Sequence, residues 1–248
     1  MDVTLKLKDC IDNDKFEEAI NVIDFCRGTG SYVGLAISKH FHDMHLIQYA
    51  LYKGNFRIFE YLAGYTDVNE PNYNNNSLLF HIIYMWSLSE SLTPDKLNIL
   101  LKYTHNIDAK YDTCSETALY KYVFYFKFRD MDEEKLNKFR SCVTLFLKYG
   151  ADPTIENRLG LSTINLIIGL KNIELLQLFI DHSKTDIKPA ALYSAILNHN
   201  NYDAVECLVN QMDDINYVYK GSTFLDLAKA NGYYFSSAII ELLEIHIR

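Results

Sequence analysis

Three histidines and a carboxylate crowd into His40-Phe-His-Asp-Met-His45, the residue types that hold a transition metal. A zinc site needs four converged ligands, or three and an open position. On a helix His42 and His45 share a face and His40 does not, so the segment reads as structural histidines, exposed or partly buried. The run Asp130-Met-Asp-Glu-Glu134 supplies paired carboxylates, the groups of general acid and base catalysis. Lys135, Lys138 and Arg140 follow it, and acidic residues ahead of basic ones describe the solvated start of a helix, where the macrodipole favours negative charge. Cys10, Cys26, Cys114, Cys142 and Cys207 are odd in number and show no two-residue spacing, so reduced thiols are expected rather than a zinc or dithiol site. No glycine-rich phosphate loop, nucleophile elbow or metalloprotease motif is present in the sequence. The expectation is a protein without catalytic residues, cofactor or metal, whose chemistry is that of a surface.

The elements that would carry such a surface recur along the chain. Leu145-Phe-Leu-Lys-Tyr-Gly-Ala-Asp-Pro-Thr154 reads as the end of a helix, a left-handed stop at Gly150 and an extended loop, and Gly160-Leu-Ser-Thr163 as the capped start of the next helix. Weaker copies place first helices near Leu5, His45, Ser77, Thr117, Ser162, Ala190 and Thr223, at intervals of 28 to 45 residues. Ser77, Thr117, Ser162 and Thr223 can cap these helices, and Leu79, Leu119, Ile164, Leu192 and Leu225 can pack between layers. Ala50, Ala195 and Ala228 supply a small residue where two helices approach, and Gly54 and Gly232 suit the tight turn to the second helix. The second helices, such as Ile58-Phe-Glu-Tyr-Leu62, Leu97-Asn-Ile-Leu-Leu101, Val143-Thr-Leu-Phe-Leu147 and Val205-Glu-Cys-Leu-Val209, are apolar over more than half their circumference, as sandwiched helices must be. Loops then leave through Asp67-Val-Asn69, Ala151-Asp-Pro153 and Asp214-Ile-Asn216.

This pattern resembles the ankyrin-repeat family, whose unit of about 33 residues is a β-turn and two antiparallel helices. The family's Thr-Pro-Leu-His signature survives in outline as Thr117-Ala-Leu-Tyr120, Ser162-Thr-Ile-Asn165, Ala190-Ala-Leu-Tyr193 and Thr223-Phe-Leu-Asp226. The resemblance implies an all-α ankyrin-repeat solenoid of about six to seven irregular helix-turn-helix repeats with β-turn fingers, one domain over residues 1–248. A divergent repeat spans Val3 to Ile23, and the stretch between Cys26 and His45 is unassigned. With 248 residues, 49% of them hydrophobic, the chain has apolar material for one continuous core, and a compact single-core helical domain is the alternative. A net charge of −8 with scattered lysines argues against nucleic acid. Lacking an apolar run of about 18 residues or a secretory leader, the chain is expected in the cytoplasm, away from membranes.

In ankyrin proteins the loop tips and the first-helix face contact protein partners, which is what the resemblance implies here. Offsets from each start give an aromatic and methionine stripe of Tyr52, Tyr84, Met85, Trp86, Phe124 and Tyr125. Such side chains carry interface energy. The alternative is that the insertions Ser87 to Pro94 and Phe126 to Arg140 cover them. At the tips Tyr73, Asn74, Arg158, Tyr219 and Lys220 are candidate contacts.

The last helix, Ser236 to Arg248, is apolar over much of its wheel, so Ile239, Ile240, Leu243 and Ile247 are candidates for self-association or for docking into a complex, an assembly role that is the second expectation. Irregular intervals, weak signatures and a bias to Ile, Asn, Tyr and Lys resemble poxvirus ankyrin proteins. Members of that group commonly add an F-box-like segment after the array, for which this sequence leaves no room before Arg248. The expectation is the shorter host-range type, a binding module that sequesters a host intracellular protein and serves immune evasion.

Overall fold

The computed structural model describes residues 3–29, 46–64, 79–80, 82–83, 92–111, 113–127, 132–199, 201–216, 218–231 and 236–247. Among these are thirteen α-helices, and the chain divides into two compact units, Met1–Asp112 and Thr113–Arg248.

In the first unit α1 (Val3–Asp12) and α2 (Phe16–Gly28) form a hairpin, as do α3 (Leu46–Lys53) and α4 (Phe56–Ala63); α5 (Pro94–Lys102) follows. The hairpins stack in register, α1 on α3 and α2 on α4, so each buries one face against the next. Leu7, Cys10, Ile23, Ala50, Ile58, Phe59 and Leu62 form the core. Helical Leu79, Phe80, Ile82 and Ile83 are buried as well. The cap expected at Ser77, and the segment between Gly30 and His45 with its histidines, lie outside the described residues.

The second unit has four such layers: α6 (Ala118–Lys127) with α7 (Glu133–Lys148), α8 (Thr163–Gly169) with α9 (Ile173–His182), α10 (Lys188–Ser194) with α11 (Tyr202–Val209), and α12 (Phe224–Ala230) with α13 (Ser236–His246). First helices stack on first helices and second on second. Leu119, Ile164 and Leu192 lie between layers as their spacing predicts, but in the last layer Phe224 takes that place, at 1% exposed, and Leu225 is only half-buried. Thr117 and Thr223 cap their helices, accepting from the amides of Tyr120 (3.2 Å) and Asp226 (3.0 Å). Ser162 works differently: its amide and its hydroxyl both donate to Asn165 Oδ1.

The turn from first to second helix has a common design. Asn55, Asn172 and Asn201 cap α4, α9 and α11, each accepting from the amide three residues on. Asn55 Nδ2 donates back to Asp14 Oδ1 in the preceding hairpin (2.8 Å), and Asn201 Nδ2 donates to the Ile168 carbonyl of its preceding layer (3.1 Å). The residue before the asparagine is left-handed at Gly54 (φ 79°) and Lys171 (φ 53°). In the third layer of the second unit one more residue separates Ala195 from Asn201 than separates Ala50 from Asn55. A π-helical turn over Ala195–His199 absorbs it, and Asn201 N still reaches the Ala195 carbonyl at 3.0 Å.

Candidate functional site

The loops between layers in the second unit are built to be stiff. In residues 149–162 Gly150 (φ 98°) ends α7 in the left-handed conformation that the sequence requires there. Asp152 Oδ1 then accepts from the amide and hydroxyl of Thr154, an Asx turn. Asn157 closes the tip: its amide donates to the Leu161 carbonyl (2.9 Å), and its Oδ1 accepts from the amides of Leu159 and Leu161. The finger is also tied to its neighbour, with Arg158 N donating to the Cys114 carbonyl (2.9 Å) and Arg158 Nε to Ser115 Oγ (3.1 Å). On this braced loop Leu159 is 75% exposed and Leu161 partly so.

The finger in residues 210–223 repeats the device. Asn216 N donates to Asp214 Oδ1, and the tip turns through Lys220 (φ 50°) and Gly221 (φ 87°), both positive as a type I′ turn requires. Tyr219 and Ser222 exchange backbone hydrogen bonds across it. Val218 stands out at 64% exposed. Tyr219 packs on Tyr193 at 5.6 Å and on Phe224 at 6.1 Å, and burial pushes its hydroxyl pKa up. Lys220 pairs with Glu156 of the earlier finger and lies over the Tyr193 ring, 5.3 Å from its centroid. The hydrogen bond to Glu156 holds the ammonium pKa above its usual value.

The structure thus brings Arg158, Tyr219 and Lys220 onto one edge of the second unit. Of the aromatic stripe, Tyr52, Phe124 and Tyr125 are described. Tyr73, Asn74, Tyr84, Met85 and Trp86 lie outside the described residues. Tyr52 belongs to the first unit, where it is 45% exposed. Phe124 and Tyr125 on α6 are half-buried, Phe124 against Tyr120 at 6.2 Å and Tyr125 under Lys121 at 5.7 Å. The insertion after them contributes core instead: Phe126 meets Phe139 at 4.7 Å, and Phe139 stacks on Tyr122 at 5.6 Å. The terminal helix needs a correction. Ile239 and Leu243 are buried at 1% and 0%, because α13 packs on both α11 and α12, so neither is available for self-association; Ile240 and Ile247 are half-buried.

Leu159, Leu161 and Val218, with Glu156 and Tyr193, were not singled out as contacts by sequence reasoning. An apolar residue in a loop carries no periodic signal, so spacing alone does not find Leu159 or Val218. In the first unit a cavity of about 250 Å³ is lined by Ile11, Asp12, Asp14, Lys53, Gly54 and Asn55. Its polar groups are turned on one another, Asp12 towards Lys8, Tyr49 and Lys53, and Asp14 towards Asn55. Among the described residues no three His, Cys, Asp or Glu side chains converge as metal ligands, and no helix is long and apolar enough to cross a membrane.

No family model matches the chain, and neither does any curated protein. Its fold does have solved counterparts. The ankyrin repeat domain of Bcl-3, a member of the IkappaB protein family, superposes with a TM-score of 0.61 over 96% of this chain and 97% of that one, at 16% sequence identity. The fold is therefore all-α and of the ankyrin-repeat type.

Proposed function

We propose that this chain is a non-enzymatic binding module that captures an intracellular host protein through the finger edge of its second unit. The observation that carries the reading is the exposure of Leu159 on a finger whose backbone is fixed by Asn157 and Arg158. An apolar side chain held out on a rigid loop loses little conformational freedom on binding, so its burial by a partner goes largely into affinity. Val218 on the later finger extends the same edge. Sequestration of a host factor, as in the short poxvirus ankyrin type, is the biological role that the sequence resemblance supports. Of the earlier candidates, Arg158, Tyr219 and Lys220 lie on the proposed surface, and Tyr52 is a secondary contact on the first unit.

A photo-crosslinking residue at Leu159 should trap one protein in infected or transfected host cells, and the same residue at exposed Tyr202, on α11, should not. Equal trapping at both positions, or none at Leu159, removes the finger edge as the binding surface.

A further inference from the structure

The connection from α9 to α10 is residues 183–187 alone, whereas the connections on either side run over 149–162 and 210–223. One finger is missing from the row. Tyr193 lies on α10, the helix that this short connection enters, and is half-buried. The Tyr219 ring stands at 60° to that of Tyr193, and the carboxylate of Glu156, from the preceding finger, meets Lys220 beside them. Lys220 reaches over the gap, with its ammonium on Glu156 and above the Tyr193 ring.

We propose that Glu156, Tyr193 and Tyr219 form a cation-recognition notch that takes an arginine side chain of the protein partner, and that Lys220 is a placeholder for it in the free chain. The inference rests on the finger edge being the partner-binding surface. A carboxylate beside the face of Tyr193 is complementary to a cation, since the ring quadrupole and the charge attract it together, and Tyr219 holds that ring in place from its edge. Asp152 adds to the negative potential at Tyr219, and the whole chain carries −8. Lys188, at the start of α10, is engaged elsewhere, on the Gln211 carbonyl at 3.0 Å. Arginine fits better than lysine because its planar guanidinium can stack on a ring while pairing with the carboxylate through two N–H groups. Lys220 can give way: its side chain and that of Glu156 are 42% and 43% exposed, and an ion pair so open to water is weakly held. The position itself is telling, because the first central residue of a type I′ turn favours Asn, Asp or Gly. Lys220 meets this demand with a side chain at φ 50°, so a glycine there relaxes the backbone as it removes the ammonium.

The test is a titration of the protein, labelled in its tyrosine rings, with N-acetyl-arginine amide, using N-acetyl-citrulline amide as the neutral control. Lys220→Gly removes the ammonium and relaxes the turn at once, so its fold should be preserved. In that variant the Tyr193 and Tyr219 ring signals should shift saturably at about one-tenth of the arginine amide concentration that wild type requires. Adding Glu156→Gln should abolish the response. A folded Lys220→Gly chain whose rings ignore the arginine amide, or respond equally to citrulline, overturns the notch. Crosslinking at Leu159 in the wild-type chain is a separate readout, so loss of the notch and loss of the binding edge are distinguishable.

Discussion

At the residue scale the tight turns between paired helices show which backbone demands a sequence can hide. Gly54 meets a positive φ with the residue that tolerates it best, whereas Lys171 meets the same demand with a side chain. A Cβ at Gly54 would find open space within 4 Å, so Gly54→Ala isolates the conformational cost, about 1 kcal/mol. Lys171→Gly should instead gain about 0.5 kcal/mol. Urea unfolding of the two variants checks both signs. Cys142 makes a second case. Burial pushes its thiol from 9.0 up to about 11, so the folded chain keeps a proton that the unfolded chain releases. Stability from this group is intact below pH 9 and is lost as pH rises to about 11, in all by about 3 kcal/mol. Cys142→Ala should show a correspondingly flatter fall in its urea midpoint over that window. Native Cys142 should also resist alkylation under conditions where exposed Cys114 reacts.

At the element scale the second helices were legible because burial on both sides leaves a broad apolar arc: Phe59, Leu97, Val143, Phe179 and Val205 are all at or below 2% exposed. The insertion before Arg140 was legible only as extra length. Its role depends on a tertiary meeting of Phe126, Phe139, Tyr122 and Phe146 that no local spacing announces. Phe139→Ala should therefore cost about 3 to 5 kcal/mol in urea unfolding, where a merely solvated helix start would cost little. Sequence reasoning reached the π turn of the third layer no better, although the extra residue between Ala195 and Asn201 was countable, because nothing in the residue types says which helical turn must widen. The apolar arc of α13 was visible in sequence too, but not its destination: two neighbouring helices take it up, and Ile245, at 60% exposed, is left at its margin.

At the scale of the whole molecule the charge balance and the finger edge make one joint prediction. The chain carries −8, and its notch presents Glu156 and the face of Tyr193, so a partner suited to both is basic where it docks. Charge of one sign attracts an opposite partner over a distance set by salt, about 30 Å at 0.01 M and about 8 Å at 0.15 M. Association of the protein trapped at Leu159 should accordingly slow by about tenfold or more between those two conditions. Its dissociation should change far less, since departure depends on the apolar contacts at Leu159 and Val218, which salt does not screen. Stopped-flow measurement of both rates separates the contributions. An association rate indifferent to salt would mean a neutral partner held by apolar finger contacts alone, and the arginine assigned to the notch would then have no long-range force to bring it there.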